Sequence, residues 1–251
     1  MSNKGKAGSQ IDLQLLVAHP EVINEEILRL NPEWEGGTIK WFSPISDSNY
    51  REFYDNSFNE GRFNKKEPTF WEGIPKPDFN EFWPKGGPHW DGIAVVTQKN
   101  GNKSLILVEA KAHKKELSSN CGAKESSRSR IKERLEKTKK EEHLSGEDWM
   151  KKFYQFANRL TFLLHLRKST NNAAFLYILF ANDPYWDKKD PTHAEVWKEA
   201  VGEEREYFGI EPEYCKNHCI YDVIVDLNET RYLPLKTLIE KRLAQLKNAA
   251  K

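Results

Sequence analysis

The nine residues from Ala173 to Ala181 contain no charged side chain and no glycine or proline. A membrane span needs ~20 apolar residues, so this run is far too short for one. It reads instead as a strand buried on both faces, as in a sheet that helices cover on each side. This one segment directs the chain to an α/β class with a central mixed sheet flanked by helices. Residues 38–44, 92–97, 104–111 and 219–226 read as further strands. Residues 11–30 read as helix broken near Pro20, where the ring removes a backbone donor. Residues 47–57 read as a short helix capped by Asp47 or Ser48. Residues 124–142, 191–208 and 234–247 also read as helices. Gly146-Glu147 is taken to open a long one reaching Lys168, with a stripe of Met150, Phe153, Ala157, Leu160 and Leu164.

The expected organisation is a single domain over residues 11–251 behind a flexible tail at residues 1–10. Mean hydropathy is -0.78 and no run approaches membrane length. The first ten residues lack the apolar stretch of a secretory signal. Three cysteines are too few for a disulfide framework, which points to a reducing, cytoplasmic compartment. Cys215-x-x-His218-Cys219 offers zinc-type ligands, but a structural zinc site needs four, and a fourth would have to come from a residue such as His193. Two thiols at a strand start are the plainer reading. No phosphate-binding glycine loop and no serine nucleophile elbow is present.

The chemistry concentrates around one expected hairpin. Asp91 opens the run Gly92–Thr97, Asn100-Gly101 is a strong turn signal, and the second run leads directly into Glu109-Ala110-Lys111. Alternate residues of a strand share a face, so Glu109 and Lys111 point the same way. Opposed residues also share a face, so Asp91 joins them only if it opposes Glu109 or Lys111. A two-residue turn would set it against Ala110. An odd loop is therefore expected, such as three residues with Gly101 left-handed, or a bulge. Opposed Cβ atoms lie roughly 4.5–5.5 Å apart, close enough for two carboxylates to share a cation. Mg²⁺ or Mn²⁺ would take hard oxygen ligands from Asp91, Glu109 and the Ala110 carbonyl. Lys111 would orient an activated water or stabilise charge on an attacked phosphate. A solvated strand end also carries such residues. The combination of a leading aspartate, an apolar run into the glutamate and a Pro/Gly/aromatic flank favours the metal reading.

Asp91, Glu109 and Lys111 in this arrangement resemble the motif of the PD-(D/E)XK nuclease superfamily, with its restriction endonuclease-like fold. The residue before the aspartate is Trp90 rather than proline, with Pro88 slightly upstream. The segments Gly87 to Asp91, Glu109 to His113, Ser126 to Arg128 and Tyr154 to Leu160 are also similar to a group of uncharacterised bacterial proteins, from about residue 37 onward. The resemblance implies a core ordered α-β-β-β-α-β and metal-dependent phosphodiester hydrolysis but supplies no substrate; nucleic acid, DNA ahead of RNA, is the expected one. The superfamily's first core helix often lends an acid to the metal, which makes Glu26 or Glu25 a candidate. A glutamine on the helix after the Glu-x-Lys strand recurs in some of these nucleases, which makes Gln155 a candidate for holding the backbone or the water. A nuclease-like module that binds nucleic acid without turnover is the alternative.

Charge supports a polyanionic partner. Residues 111–140 hold eleven Lys/Arg against four Glu, a footprint suited to phosphates or, more plainly, a solvated helix face. Lys114, Lys115, Lys124, Arg128 and Arg130, with Asn158 on the following helix, are the candidate nucleic-acid contacts. The aromatic loop of residues 63–88 is read either as pinned to the core or as a base-stacking surface. No membrane partner is expected. The oligomeric state is open, and a dimer would suit cleavage of both strands of a duplex.

Overall fold

The structure, a computed structural model, describes residue 5 and residues 7–79, 81–84, 87–186 and 190–249. In chain order the elements are α1 (Ser9–Ala18), α2 (Asn24–Arg29), β1 (Thr38–Ser43), α3 (Asp55–Glu60), β2 (Gly92–Thr97), β3 (Lys103–Lys111), α4 (Glu125–Glu141), α5 (Tyr154–Arg167), β4 (Ala173–Ala181), α6 (Ala194–Phe208), α7 (Pro212–Asn217), β5 (Ile220–Asp226) and α8 (Leu233–Ala249). The strands form one sheet in the order β1-β2-β3-β4-β5. The first three are antiparallel, and β4 and β5 run parallel to β3. This is the α/β class with a five-stranded mixed sheet.

Strand alternation divides the core into two layers. Leu105 and Leu107 of β3, with Phe175, Tyr177 and Leu179 of β4, face a cluster completed by α4, α5 and α6. Ile106, Val108 and Ala110, with Leu176, Ile178 and Phe180, face α1, α2 and α8. Every residue of β4 is buried, as its unbroken apolar run requires.

Several sequence expectations need correction. Residues 47–57 are not one helix: Ser46–Ser48 form a 3-10 turn, Asn49 and Tyr50 take φ of 56°, and α3 starts only at Asp55. The long helix does not begin at Gly146. Phe153 adopts φ 53°, which α-helical backbone forbids, and α5 starts at Tyr154. α7 was not anticipated. The expected tail is shorter on its described part. Ser9 and Gln10 already belong to α1, and the Gly5 N–H donates to Gln14; residues 1–4 and 6 lie outside the described residues. The loop at residues 63–88 is held by its aromatics: Phe70, Trp71, Phe79 and Trp83 are buried, and Phe79 stacks on Phe162 of α5.

Candidate active site

The β2–β3 register pairs Gly92 with Val108 and Thr97 with Lys103. Continued one step, it sets Asp91 against Glu109. At the other end the Gln98 N–H donates to Asn102, leaving the three-residue loop 99–101 with Gly101 at φ 85°. Odd loop parity is thus what puts both carboxylates on one face. Asp91 also caps the strand edge: its Oδ2 accepts the Ala110 N–H at 2.9 Å. On an extended strand a residue's N–H and C=O point to the same side. The Ala110 carbonyl therefore faces the Asp91 side, beyond the end of β2.

Glu109 sits in a net of charge-assisted bonds. Lys111 Nζ donates to Oε1, and Arg159 Nε donates to Oε2 at 2.8 Å. Lys111 also donates to Gln155 Oε1 at 3.1 Å. Arg159 Nη2 donates to the His89 carbonyl at 2.7 Å, and the guanidinium lies 5.1 Å from the Trp90 ring centre. Gln155 and Arg159 are four residues apart on α5, one helical turn, so one face of the helix meets the strand end twice. Glu109 is 1 %, Lys111 5 % and Arg159 5 % exposed. Charges so deeply buried persist only when paired.

The placement of Gln155 is fixed from outside its own helix. The Ser119 carbonyl accepts the Tyr154 N–H, and the Ser119 hydroxyl accepts the Gln155 N–H at 2.9 Å. These bonds satisfy two first-turn donors that would otherwise lack partners.

Two carboxylates meet two cationic side chains here. Burial, then the Glu109 charge, pushes the Asp91 carboxyl up to about 7, although Lys111 and Arg159 act against this. Burial alone would raise Glu109 too, but Arg159 and Lys111 outweigh it and hold that carboxyl below its ordinary value. Burial opposes the charge of Lys111, yet Glu109 and Asp91 hold its ammonium above the usual range. Asp91 is partly exposed, and no donor among the described residues reaches its Oδ1. A free carboxylate oxygen, a second carboxylate opposite and a strand-end carbonyl on the same side are a hard-oxygen set that fits Mg²⁺ or Mn²⁺. Among the described residues no group of three or more His, Cys, Asp or Glu side chains gathers as a ready-made cage. The candidate ligands are therefore two carboxylates and a carbonyl.

Glu26 does not join them. Its carboxylate accepts from the Tyr232 hydroxyl and pairs with Arg231 at 2.9 Å, and its neighbour Ile27 packs in the α1/α2/α8 layer. Glu25 pairs with Arg29 on the exposed side of α2. Asn158 is not a surface contact either. It is buried, donates to the Tyr154 hydroxyl at 3.2 Å and accepts from Arg159. Arg159 is the site residue that sequence reasoning passed over. Its signal was its position one turn after Gln155 on a largely apolar helix.

The basic block divides. Lys114, Lys115 and Lys124 are exposed, with Lys115 paired to Asp190 at 3.2 Å. Arg128 instead donates to the Cys121 carbonyl, and Arg130 and Arg134 both donate to the Glu81 carbonyl, so these arginines tether α4 to neighbouring loops. His113 is buried, with its ring tied to Asp190 and to the Lys115 N–H. Cys215 and Cys219 are free thiols, and His193 bonds Asn182 instead. No helix among the described residues is long and apolar enough to cross a membrane. Comparison with family models, with curated proteins and with solved structures found no match to this chain.

Proposed function

We propose that the chain is a metal-dependent nuclease that hydrolyses phosphodiester bonds of nucleic acid, DNA ahead of RNA, with a restriction endonuclease-like core. The observation carrying this reading is the opposition of Asp91 and Glu109, with Lys111 bridging Glu109 to Gln155. The succession α1, β1, β2, β3, α5, β4 supports the core assignment. Asp91, Glu109 and the Ala110 carbonyl hold the cation. Bound Mg²⁺ or Mn²⁺ supplies positive charge to the phosphate and lowers the pKa of a water. Lys111, fixed between Glu109 and Gln155, presents its ammonium to the attacking water and the phosphate oxygens. Gln155 holds Lys111 in line, and Arg159 keeps Glu109 ionised. Exposed Lys114, Lys115 and Lys124 offer charge to the substrate backbone.

A second reading, a nucleic-acid-binding module without turnover, draws on one observation: both Glu109 oxygens are already engaged by Lys111 and Arg159. One experiment separates the two. Mn²⁺ binding is measured by calorimetry on wild type and Asp91→Ala, alongside cleavage of single-stranded, double-stranded and branched DNA and of RNA. Binding lost in Asp91→Ala, with cleavage lost in Asp91→Ala and Lys111→Ala, supports the enzyme. Nucleic-acid affinity with neither Mn²⁺ binding nor cleavage supports the module.

A further inference from the structure

Phe53 and Trp90 form an isolated antiparallel bridge, which sets Tyr54 against His89. Their rings stack with centroids 4.2 Å apart and planes 6° from parallel. This pair is not core. Tyr54 is 44 % exposed, one of two large apolar side chains so exposed among the described residues, and the His89 side chain is 52 % exposed. Glu52 lies 3.5 Å from His89 Nδ1 and steadies the imidazole.

The stack is tied to the candidate centre through one atom. Arg159 Nη2 donates to the His89 carbonyl at 2.7 Å and stands 2.8 Å from Glu109 Oε2. His89 is also two residues before Asp91. A solvent-facing aromatic pair is therefore joined to the carboxylate pair through the His89 backbone, which is held by the arginine that holds Glu109. Among the described residues the other large aromatics are buried or half-buried, Trp90, Trp149 and Trp197 fully so.

We infer that the Tyr54–His89 stack is a platform for one unpaired nucleobase of the substrate, and that the site consequently takes single-stranded or splayed nucleic acid rather than intact duplex. Every base presents a π-face, so stacking on an aromatic platform is tolerant of sequence. In a closed duplex those faces are already covered by neighbouring bases. An extruded or single-stranded base has a face to offer. This inference rests on the nuclease reading for its substrate class, but it is tested through binding alone.

The experiment measures affinity for a fluorescent 12-nucleotide DNA single strand in EDTA, where turnover is absent, at one fixed salt concentration. The controls are an abasic strand of the same length and a blunt duplex. Wild type should bind the single strand about tenfold more tightly than the abasic strand, and Tyr54→Ala should remove that difference while Tyr54→Phe retains it. Equal affinity for normal and abasic strands, tighter binding of the duplex, or a Tyr54→Ala protein that binds like wild type would overturn the platform. Cleavage by wild type and Asp91→Ala in Mn²⁺ is scored separately. Base-dependent binding without cleavage leaves the platform standing and removes the nuclease. Cleavage with base-independent binding does the reverse.

Discussion

Arg159 and Glu109 hold each other out of water: Nε donates to Oε2 at 2.8 Å, and neither side chain reaches solvent appreciably. Removing one partner of such a pair strands the other charge, which typically costs 3–5 kcal/mol. Arg159→Ala is expected to lose about 3 kcal/mol of stability, read as a lower urea midpoint with an unchanged slope. Arg159→Lys keeps a charge but not the planar fork that reaches both Glu109 and the His89 carbonyl, so it should rescue only part of the loss.

Metal removal should leave the fold intact. Lys111 and Arg159 already supply two positive charges to Asp91 and Glu109, so folding has no need of a cation. Excess EDTA is expected to leave the thermal midpoint in place. Mn²⁺ well above its dissociation constant should raise it by several degrees through mass action, and Asp91→Ala should abolish that rise. A chain that unfolds in EDTA would contradict this account.

Glu204 gives stability a pH slope. It is fully buried on α6, accepts from the Tyr177 hydroxyl at 3.5 Å, and burial pushes its carboxyl up to about 8. An unfolded glutamate ionises near 4.3. Between these values the folded state keeps a proton that the unfolded state has released, so stability falls as pH rises from about 4 to about 8. Glu204→Gln should flatten this decline and raise the midpoint more at pH 8 than at pH 5, as denaturant titrations at both values would show.

Asp12 makes a similar case on the other side of the sheet. It is fully buried against the Asp183 carboxyl, with which it shares a hydrogen bond when protonated, and no N–H or hydroxyl donor among the described residues reaches its oxygens. Burial, then the nearby Asp183 charge, raises the Asp12 carboxyl well above its ordinary value. Asp12→Asn replaces the titratable carboxyl proton with a permanent N–H donor to its neighbour. It should therefore stabilise the protein at alkaline pH, where the wild-type pair loses its shared proton, by roughly 1 kcal/mol for the bond retained. A fall in thermal midpoint would show that the carboxyl pair serves another purpose.

At Gly101 the cost should be purely conformational. The residue holds φ 85°, and a Cβ there would touch nothing within 4 Å. Gly101→Val should cost about 1–2 kcal/mol, because L-residues with side chains resist the left-handed region. Gly101→Asn should cost less, and thermal melts of the two variants would rank them.

What the sequence made legible follows from which interactions are local. β4 was readable because nine apolar residues in a row admit few other fates, and the β2–β3 pairing because side-chain parity confines Asp91 to a place opposite Glu109 or Lys111, of which the structure takes the first. The start of α5 was hidden. Met150 and Phe153 continue the helical spacing, but Phe153 turns left-handed, and the capping group is Ser119, far back in the chain. The short helix placed at residues 47–57 failed because its apparent caps instead close a 3-10 turn followed by two left-handed residues. Arg159 escaped notice because its partners, Glu109 and the His89 carbonyl, are joined to it only in three dimensions.

Ser119 also bears on the order in which the protein assembles. α5 lacks a side-chain cap on its own first residue, and its opening turn is completed by a residue that follows β3. Gln155 therefore reaches Lys111 only after the connection leaving β3 has settled against the helix. The strands can pair beforehand, since their bonds make no use of that connection. Local opening of that connection would therefore unseat Gln155 while the strand pairing is kept, in keeping with the lower local stability of segments joined by few bonds. The sheet can be whole while the centre at the end of its middle strand is not.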